Sequence, residues 1–384
     1  MTKLFKRIFI FCASYGFAIV LLTFLLLLTL FGTLEQVDQG LYMVQKKYFE
    51  SYFVVHDLFG VIPLPLPGVY LLLALLFINL VCGAIIRAPK NWRQPGMLIA
   101  HFGIIFLVLA GFVTYHFSSS GYMRLYEHQS ANEYVSYYDW EIAITEYEGE
   151  KAARQFTIPN DVLADLAPTT VRTLYHAELP FELQISGFAP NAAPRLAPQD
   201  KGAVDGVIIE RLKLDTNAEA NIAGAYILVA PKSGETMKGI LWGGAIAPWL
   251  VTVGGKDYAL DLRHTRTEVP FTIRLDKFIR ELHPRTGIAS NFESEVTKTE
   301  GEISRQVDIK MNEPLRHRGY TFFQASWGPE NAGPNDKLFS VFSVVRNPAD
   351  QWPLYACLII SGGLLVHFLQ KLFRYLRAEN RRHA

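Results

Sequence analysis

The sequence predicts a membrane protein with four transmembrane helices, arranged three plus one, and a large all-β antiparallel domain of sandwich-like type. A helix needs about 17 to 25 mainly apolar residues to cross a bilayer. Four stretches meet this requirement, at residues 8–31, 69–86, 97–117 and 353–373. The intervening residues 118–352 have the mixed composition of a soluble domain. The apolar segments and this single long interruption together predict the fold class.

The segments divide the chain into eight parts. They are residues 1–32 (N-terminus and first span), 33–67 (outer loop with an interfacial helix), 68–87 (second span), 88–96 (cytoplasmic loop), 97–117 (third span), 118–352 (extracytoplasmic β-rich domain), 353–373 (fourth span) and 374–384 (basic tail). The first apolar stretch is longer than the roughly 7 to 15 residues of a signal peptide, and no small-residue cleavage site follows it. We therefore expect it to be retained as a helix.

Basic residues predict the orientation. They flank the predicted spans in three groups: Lys3, Lys6 and Arg7; Arg87, Lys90 and Arg93; and Lys371, Arg374, Arg377, Arg381 and Arg382. Four crossings put all three groups on one side, and Lys and Arg mark the cytoplasmic side. Both termini are therefore expected in the cytoplasm and the β domain outside a bacterial inner membrane. The net charge of +1 is uninformative because it averages over this asymmetry.

The outer loop and the large domain have different periodicities. Apolar residues of 41–58 recur near helical spacing, which predicts an interfacial helix, and Pro63, Pro65 and Pro67 then predict an extended turn. In the large domain, β-branched and aromatic residues alternate with polar ones. The predicted strands are 134–147, 181–188, 207–214, 225–230, 250–262 around a Gly254-Gly255 turn, 269–278, 303–311, 320–327 and 338–345, and 189–205 is a predicted loop.

Cysteine content excludes several functions. Cys12, Cys82 and Cys357 all lie in predicted spans, so the outer domain has no disulfide framework, redox Cys pair or Cys-x-x-Cys-His haem attachment site. The chain is therefore neither a c-type cytochrome nor a thioredoxin. We find no phosphate loop, nucleophile elbow or His-Glu-x-x-His motif, and no basic stripe for nucleic acid.

His101 and His367 are the main candidate site residues. A strongly polar residue in hydrocarbon costs about 2 to 3 kcal/mol or more, so it usually has a partner and a function. His101 lies about 6 Å past the inner end of the third span and His367 about 9 Å before the inner end of the fourth. Imidazole is a common haem-iron ligand. We expect these two side chains to ligate one non-covalent haem b. The alternative is that each histidine hydrogen-bonds a neighbouring helix.

Further candidates surround this site. Basic residues near the inner ends of the spans could pair with the haem propionates: Arg87, Arg93, Lys371 and Arg374. His116 follows His101 by about 22 Å along the helix and about 60° around it. This spacing allows a second haem near the outer face, with His56 or His128 as the other ligand. An interfacial histidine without a cofactor is the alternative.

An ordered set of motifs resembles the ResB family. The motifs are Gly32-Thr33-Leu34-Glu35-Gln36, Tyr48-Phe49, Leu66-Pro67-Gly68, Asn79-Leu80, His101, Gly121-Tyr122-Met123-Arg124-Leu125-Tyr126-Glu127, Pro270-Phe271 with Leu275 and Phe278, and Met311-Asn312-Glu313-Pro314-Leu315 with Gly319-Tyr320 and Phe323-Gln324. They extend over nearly the whole chain. Two features depart from the family: His128 stands where glycine is usual, and the six tryptophans are scattered rather than clustered in one loop.

The resemblance implies a role in cytochrome c maturation. Family members work with a multi-span partner that has a Trp-rich haem-handling loop, moving haem outward and presenting it to apocytochrome c. A thioredoxin-like thiol reductant is a further expected partner. The family's haem-ligand histidine in the third span corresponds to His101. Without the Trp-rich loop, the chain is not expected to complete haem attachment alone.

Two other functions fit parts of the sequence. A transmembrane electron carrier with two b-type haems would use His101 and His116, one in each leaflet. A membrane-anchored structural protein would use its β domain to bind a partner and its histidines to tie helices together.

Overall fold

The computed structural model describes residues 3–58, 60–87, 95–167, 169–200, 202–282, 289–329 and 337–383. The chain forms two compact units. One comprises Met1–Ser119 and Asn347–Ala384, and the other comprises Ser120–Arg346. The first unit is mainly helical and the second is β-rich.

The helical unit contains the apolar segments. Its helices are α1 (Lys3–Cys12), α2 (Tyr15–Gln39), α3 (Leu41–Val44), α4 (Val69–Asn79), α5 (Pro95–Phe117) and α7 (Trp352–His383), while the β-rich unit holds a short α6 (Asn160–Ala164). A π-helical segment, Leu80–Ile86, continues α4. Among the described residues, four helical segments are long and apolar enough to cross a membrane: Tyr15–Gln39, Val69–Ile86, Pro95–Phe117 and Trp352–Arg382. The prediction of four apolar helices is confirmed.

The predicted start of the first span, at residue 8, is wrong. Ser14 has extended backbone angles, φ −87° and ψ 146°, and its Oγ accepts a hydrogen bond from the Phe17 amide at 3.2 Å. A side-chain oxygen in this position is a helix N-cap. Residues 8–12 therefore belong to a separate helix, α1, and the long apolar helix begins at Tyr15.

The outer loop forms a β-hairpin after a short helix. Helix α3 continues into the π-helical segment Gln45–Phe49, and strands β1 (Phe53–Leu58) and β2 (Ile62–Pro67) then pair with His56 opposite Leu64. The predicted helix over 41–58 is therefore wrong beyond Phe49. Prolines at alternate positions of β2 are tolerated because their missing N–H groups all face the open edge of a two-stranded sheet.

The second unit is built from antiparallel strands. They are β3 (Ser119–Tyr126), β4 (Ser130–Glu148), β5 (Lys151–Ile158), β6 (Val171–Leu174), β7 (Phe181–Ala189), β8 (Ala192–Leu196), β9 (Val207–Arg211), β10 (Gly224–Pro231), β11 (Met237–Trp242), β12 (Trp249–Val253), β13 (Lys256–Leu282), β14 (Ala289–Glu300), β15 (Ile303–Lys310), β16 (Leu315–His317), β17 (Tyr320–Gly328) and β18 (Phe339–Arg346). The large sheet has the order β15-β14-β13-β4-β3-β18-β17-β16, with β12 on β13 and β5 on β4. The predicted antiparallel β-rich region is confirmed.

Two long strands, β4 and β13, pass through both hydrophobic cores of this unit. In the first core, their residues Ile142 and Leu260 pack with Ile185 and Ile227 of the smaller sheet β11-β10-β7-β6. The second core lies farther along β13 and includes Ile273. The two cores therefore share a continuous backbone.

Turn chemistry explains which strands could be predicted. Gly254 and Gly255, with φ of 62° and 77°, form the two-residue turn between β12 and β13, as predicted. Strand β8 lies inside the predicted loop 189–205, because its segment Ala-Ala-Pro-Arg-Leu lacks polar–apolar alternation.

Glu127 and His128 form a tight connection between β3 and β4. The Glu127 carboxylate accepts a hydrogen bond from the Phe278 amide at 3.0 Å, next to a register shift in β13. His128 has φ 69° and donates its amide to the Leu275 carbonyl at 2.6 Å. Positive φ is the left-handed region that suits glycine and costs about 1 to 2 kcal/mol for other residues. A glycine at this position would avoid the strain, which is a physical reason for the glycine that is usual here in the ResB family.

We expect His128→Gly to raise the free energy of unfolding by about 1 kcal/mol, because it removes the clash of Cβ with the backbone. Thermal unfolding of the full chain in detergent measures the change. His128→Ala is the matched control, since it keeps Cβ and gains nothing from the turn. Equal midpoints for the glycine and alanine variants would contradict this account.

His264 of β13 is largely buried against Trp140. Their ring centroids lie 3.9 Å apart, and His264 Nδ1 is a buried atom with no hydrogen-bond partner. Burial lowers the pKa of His264 below its usual value of 6.5, because the charged imidazolium loses hydration. The unfolded chain thus binds a proton more readily than the folded one.

The stability contributed by neutral His264 is complete above pH 6.5 and is lost as the pH falls below that value. We expect wild-type protein to lose unfolding free energy between pH 7 and the lower pKa of folded His264, while His264→Gln loses less over the same range. Parallel chemical unfolding across this pH range tests the difference. Identical pH slopes in both proteins would show that His264 does not titrate with a lowered pKa.

Candidate functional site

Helices α5 and α7 pack with their backbones in close approach. A Cβ added at Gly96 would clash with the Gly363 carbonyl and the His367 amide, and one at Gly103 would lie 2.7 Å from Ile360 Cγ1. Small residues allow such contacts between membrane helices. The face of α5 with Gly96, Ala100 and Gly103 is therefore occupied by α7.

His101 lies on α5, one residue past Ala100 of this face. Its half-buried ring places Nδ1 2.7 Å from the Met97 carbonyl oxygen of the preceding turn. A carbonyl only accepts hydrogen bonds, so Nδ1 carries the proton and Nε2 keeps its lone pair. Histidines that ligate metals through Nε2 commonly donate the other ring N–H to a carbonyl in this way.

His101 and His367 are placed differently relative to the contact between α5 and α7. With 100° per residue, His101 is about 130° around α5 from the mean direction of Gly96, Ala100 and Gly103. The His367 backbone meets Gly96, and its ring lies 5.7 Å from the Phe368 ring between centroids. One haem between the two imidazoles remains a prediction.

The basic candidates have separate positions. Arg87 Nη1 donates to the Ala13 carbonyl at 3.3 Å, so part of this guanidinium braces the break between α1 and α2. Lys371 and Arg374 are exposed on α7, about one and two turns beyond His367. Arg93 lies outside the described residues.

Asn79 provides a second brace at the same helix break. Its Nδ2 donates to the Cys12 carbonyl at 2.7 Å and to the Ser14 carbonyl at 3.1 Å, and the residue is 7% exposed. The Cys12 carbonyl is at the end of α1, where a helix leaves its last carbonyls without an intrahelical partner, whereas the Ser14 carbonyl also accepts a hydrogen bond from the Ala18 amide at 3.3 Å. The Asn79-Leu80 motif thus has a structural role at the junction of α1, α2 and α4.

The histidines considered for a second haem are separately engaged. His116 is exposed, and its Nε2 lies 2.6 Å from the Tyr70 hydroxyl, within an aromatic group that includes Phe112 and Tyr115. His56 contacts Tyr48 through Nδ1 at 2.5 Å. His128 belongs to the other unit. The described contacts do not join any two of these imidazoles.

A polar cluster at Glu35 was missed by the sequence analysis. The Glu35 carboxylate accepts hydrogen bonds from Lys47 Nζ at 2.6 Å and from the Tyr48 hydroxyl, while His56 donates through Nδ1 to Tyr48. The His56 ring stacks on Phe31 with 4.3 Å between centroids. Burial and the adjacent Glu35 carboxylate raise the pKa of Tyr48 above its usual value. This cluster ties α2, the π-helical segment and β1 together.

Glu35 and Tyr48 both belong to motifs noted in the sequence, so the sequence singled out each residue. It could not show that the two residues meet, because 13 positions separate them in the chain. Gly68 of another motif lies at the same corner, where an added Cβ would clash with the Ser51 carbonyl. These motif residues form a structural corner.

The β-rich unit has an open groove of about 400 Å³ lined by Tyr122, Arg124, Tyr137, Glu219 and Ser326, among others. The Tyr122 and Tyr137 rings are 5.5 Å apart. Nearby, Gln324 Nε2 donates to buried Ser340 at 2.9 Å, and Ser294 donates to Gln324 Oε1 at 2.7 Å. The Phe323-Gln324 motif therefore fixes strand packing beside the groove.

The chemistry of the donors limits what a cofactor site could be. Among the described residues, no group of three or more His, Cys, Asp or Glu could hold a bare metal ion. One or two imidazoles suffice for haem, since the porphyrin supplies the other four ligands. His101, with Nε2 free, fits that requirement.

Part of the chain is similar to a known protein family. Residues 253–335 match the ResB-like family. The match begins at the end of β12 and extends over β13 through β17, less than half of the chain, and it is to the same family that the motifs resemble. This family is membrane-associated and is linked to cytochrome c maturation. No curated protein matches the chain.

We expect Asn79→Ala to lower the free energy of unfolding by about 1 to 2 kcal/mol, because the Cys12 carbonyl loses its donor and the Ser14 carbonyl keeps only the Ala18 amide. Thermal unfolding in detergent, followed by circular dichroism, measures the loss. Ile78→Ala removes a neighbouring exposed side chain and serves as the control. A shift no larger than that of the control would mean that Asn79 does not brace the break.

Proposed function

We propose that this chain is the haem-handling subunit of a membrane complex that matures cytochromes c. In this proposal it helps to move haem b across the bilayer and to present it on the outer face to apocytochrome c. The observation that carries the proposal is His101, whose Nδ1 is bound to Met97 while Nε2 stays available inside a ResB-like protein. Haem, when bound, supplies a redox-active iron and the vinyl groups that join client cysteines.

The residues of this chain would bind and orient the cofactor. The Met97 carbonyl holds the His101 proton on Nδ1 and fixes the ring direction, so that Nε2 can ligate iron without losing a proton. Lys371 and Arg374, at the inner end of α7, are the remaining described candidates for the propionates. Their exposure at a helix end keeps such contacts adjustable.

The second axial ligand is either His367 or a residue of the partner. We favour the partner, because His101 lies about 130° around α5 from the face that contacts α7, where the His367 backbone packs. The partner in this proposal is a multi-span protein with a Trp-rich loop. A thioredoxin-like protein would keep the client cysteines reduced.

We expect His101→Ala to remove most of the haem from the complex, while His367→Ala retains it. The chain is co-expressed and purified with its multi-span partner, and haem is measured as the pyridine haemochrome. His101→Gly should regain haem and its reduced spectrum when free imidazole is added, because imidazole can replace the missing ligand. His317→Ala, in the β-rich unit, is the control.

Three outcomes would change the assignment. Full haem content in His101→Ala would exclude His101 as a ligand. Equal loss in the His101 and His367 variants would support a haem shared between α5 and α7. Preparations of intact complex that never contain haem would overturn the proposed function and favour a structural role.

A further inference from the structure

Helix α1 has two chemically distinct faces. With 100° per residue, Lys3, Lys6 and Arg7 occupy an arc of about 100° that also contains Ile10, and Leu4, Phe5, Ile8, Phe9 and Phe11 occupy an arc of about 160° on the other side. No residue of α1 is buried, and Leu4 and Phe5 are 67% and 54% exposed, while the Phe11 ring lies 4.8 Å from the Phe17 ring between centroids. Within the described chain, most of this apolar face is therefore uncovered.

The connection to α2 places α1 at a membrane boundary. Only Ala13 and Ser14 separate α1 from the long apolar helix, and Asn79 and Arg87 hold the break between them. Helix α1 has ten residues, about 15 Å, whereas the bilayer core is about 30 Å thick. It is too short to form a span of its own, and its end is fixed at the start of the apolar helix α2.

The charge of α1 indicates what covers its apolar face. Its sequence, KLFKRIFIFC, has three basic residues and no acidic one. A basic face opposite a face of Phe, Leu and Ile is typical of helices that lie in the interface of an anionic membrane. The same basic residues are expected on the cytoplasmic side, and an anionic lipid surface there accounts for both faces of α1, whereas a partner helix accounts for the apolar face alone.

We propose that α1 lies in the bilayer interface, with its apolar face among the acyl chains and with Lys3, Lys6 and Arg7 at the phosphates of anionic lipids. This position would fix the depth of the break at Ser14. Because Asn79 and Arg87 bind that break, α1 would also set the depth of the helix that contains them. The proposal does not depend on haem binding.

Spin labels in the full chain test this placement. Cys12, Cys82 and Cys357 are replaced by serine, and single cysteines are introduced by Leu4→Cys, Phe5→Cys, Lys6→Cys, Arg7→Cys and Ile8→Cys. The protein is reconstituted into phosphatidylcholine vesicles with or without phosphatidylglycerol. Accessibility to oxygen reports on the lipid phase, and accessibility to a water-soluble nickel complex reports on the aqueous phase. Leu22→Cys in α2 and Leu196→Cys in β8 provide the lipid and aqueous references.

We expect labels at positions 4, 5 and 8 to be accessible to oxygen and labels at 6 and 7 to be accessible to nickel. In the variant Lys3→Gln/Lys6→Gln/Arg7→Gln, the immersion of α1 should lose its dependence on phosphatidylglycerol, since each basic residue favours an anionic surface by about fivefold. A steady increase in oxygen accessibility from position 4 to 8 would show that α1 continues the span. Protection of positions 4, 5 and 8 from both reagents would show that a protein covers them. Either result overturns the proposal.

Discussion

The close approach of α5 and α7 determines how the helical unit can use its histidines. Gly96, Gly103 and Gly363 let the two backbones meet, and larger side chains at these positions would push the helices apart. This contact occupies one face of α5 and leaves His101 on another. His101 lies about 130° around α5 from this contact, whereas the His367 backbone lies at it, so the two residues have different surroundings.

Local sequence patterns predicted the elements better than they predicted the contacts between them. The apolar helices, the Gly254-Gly255 turn and most long strands follow from composition and periodicity, which depend on neighbouring residues alone. The break at Ser14 could not be predicted in this way, because residues 8–31 are apolar on both sides of it. Its stability comes from Asn79, 65 positions away from Ser14 in the chain.

In the candidate site, too, the sequence predicted individual residues better than the contacts between them. His101 stood out because a polar residue in an apolar segment is visible in sequence, whereas its bond to Met97 and its direction relative to α7 required the structure. The predicted pairing with His367 considered depth but not rotation about each helix. The Glu35 cluster was missed because its members come from a helix, a π-helical segment and a strand. In the β-rich unit, several family motifs have structural roles, as at Glu127 and Gln324.

Strands β4 and β13 belong to both cores of the β-rich unit, and this has a consequence for folding cooperativity. Loss of packing in one core would release backbone that the other core needs for its own hydrogen-bond ladder. The two halves are thus coupled through shared polypeptide, and a domain inserted between two apolar helices would resist partial opening in either half.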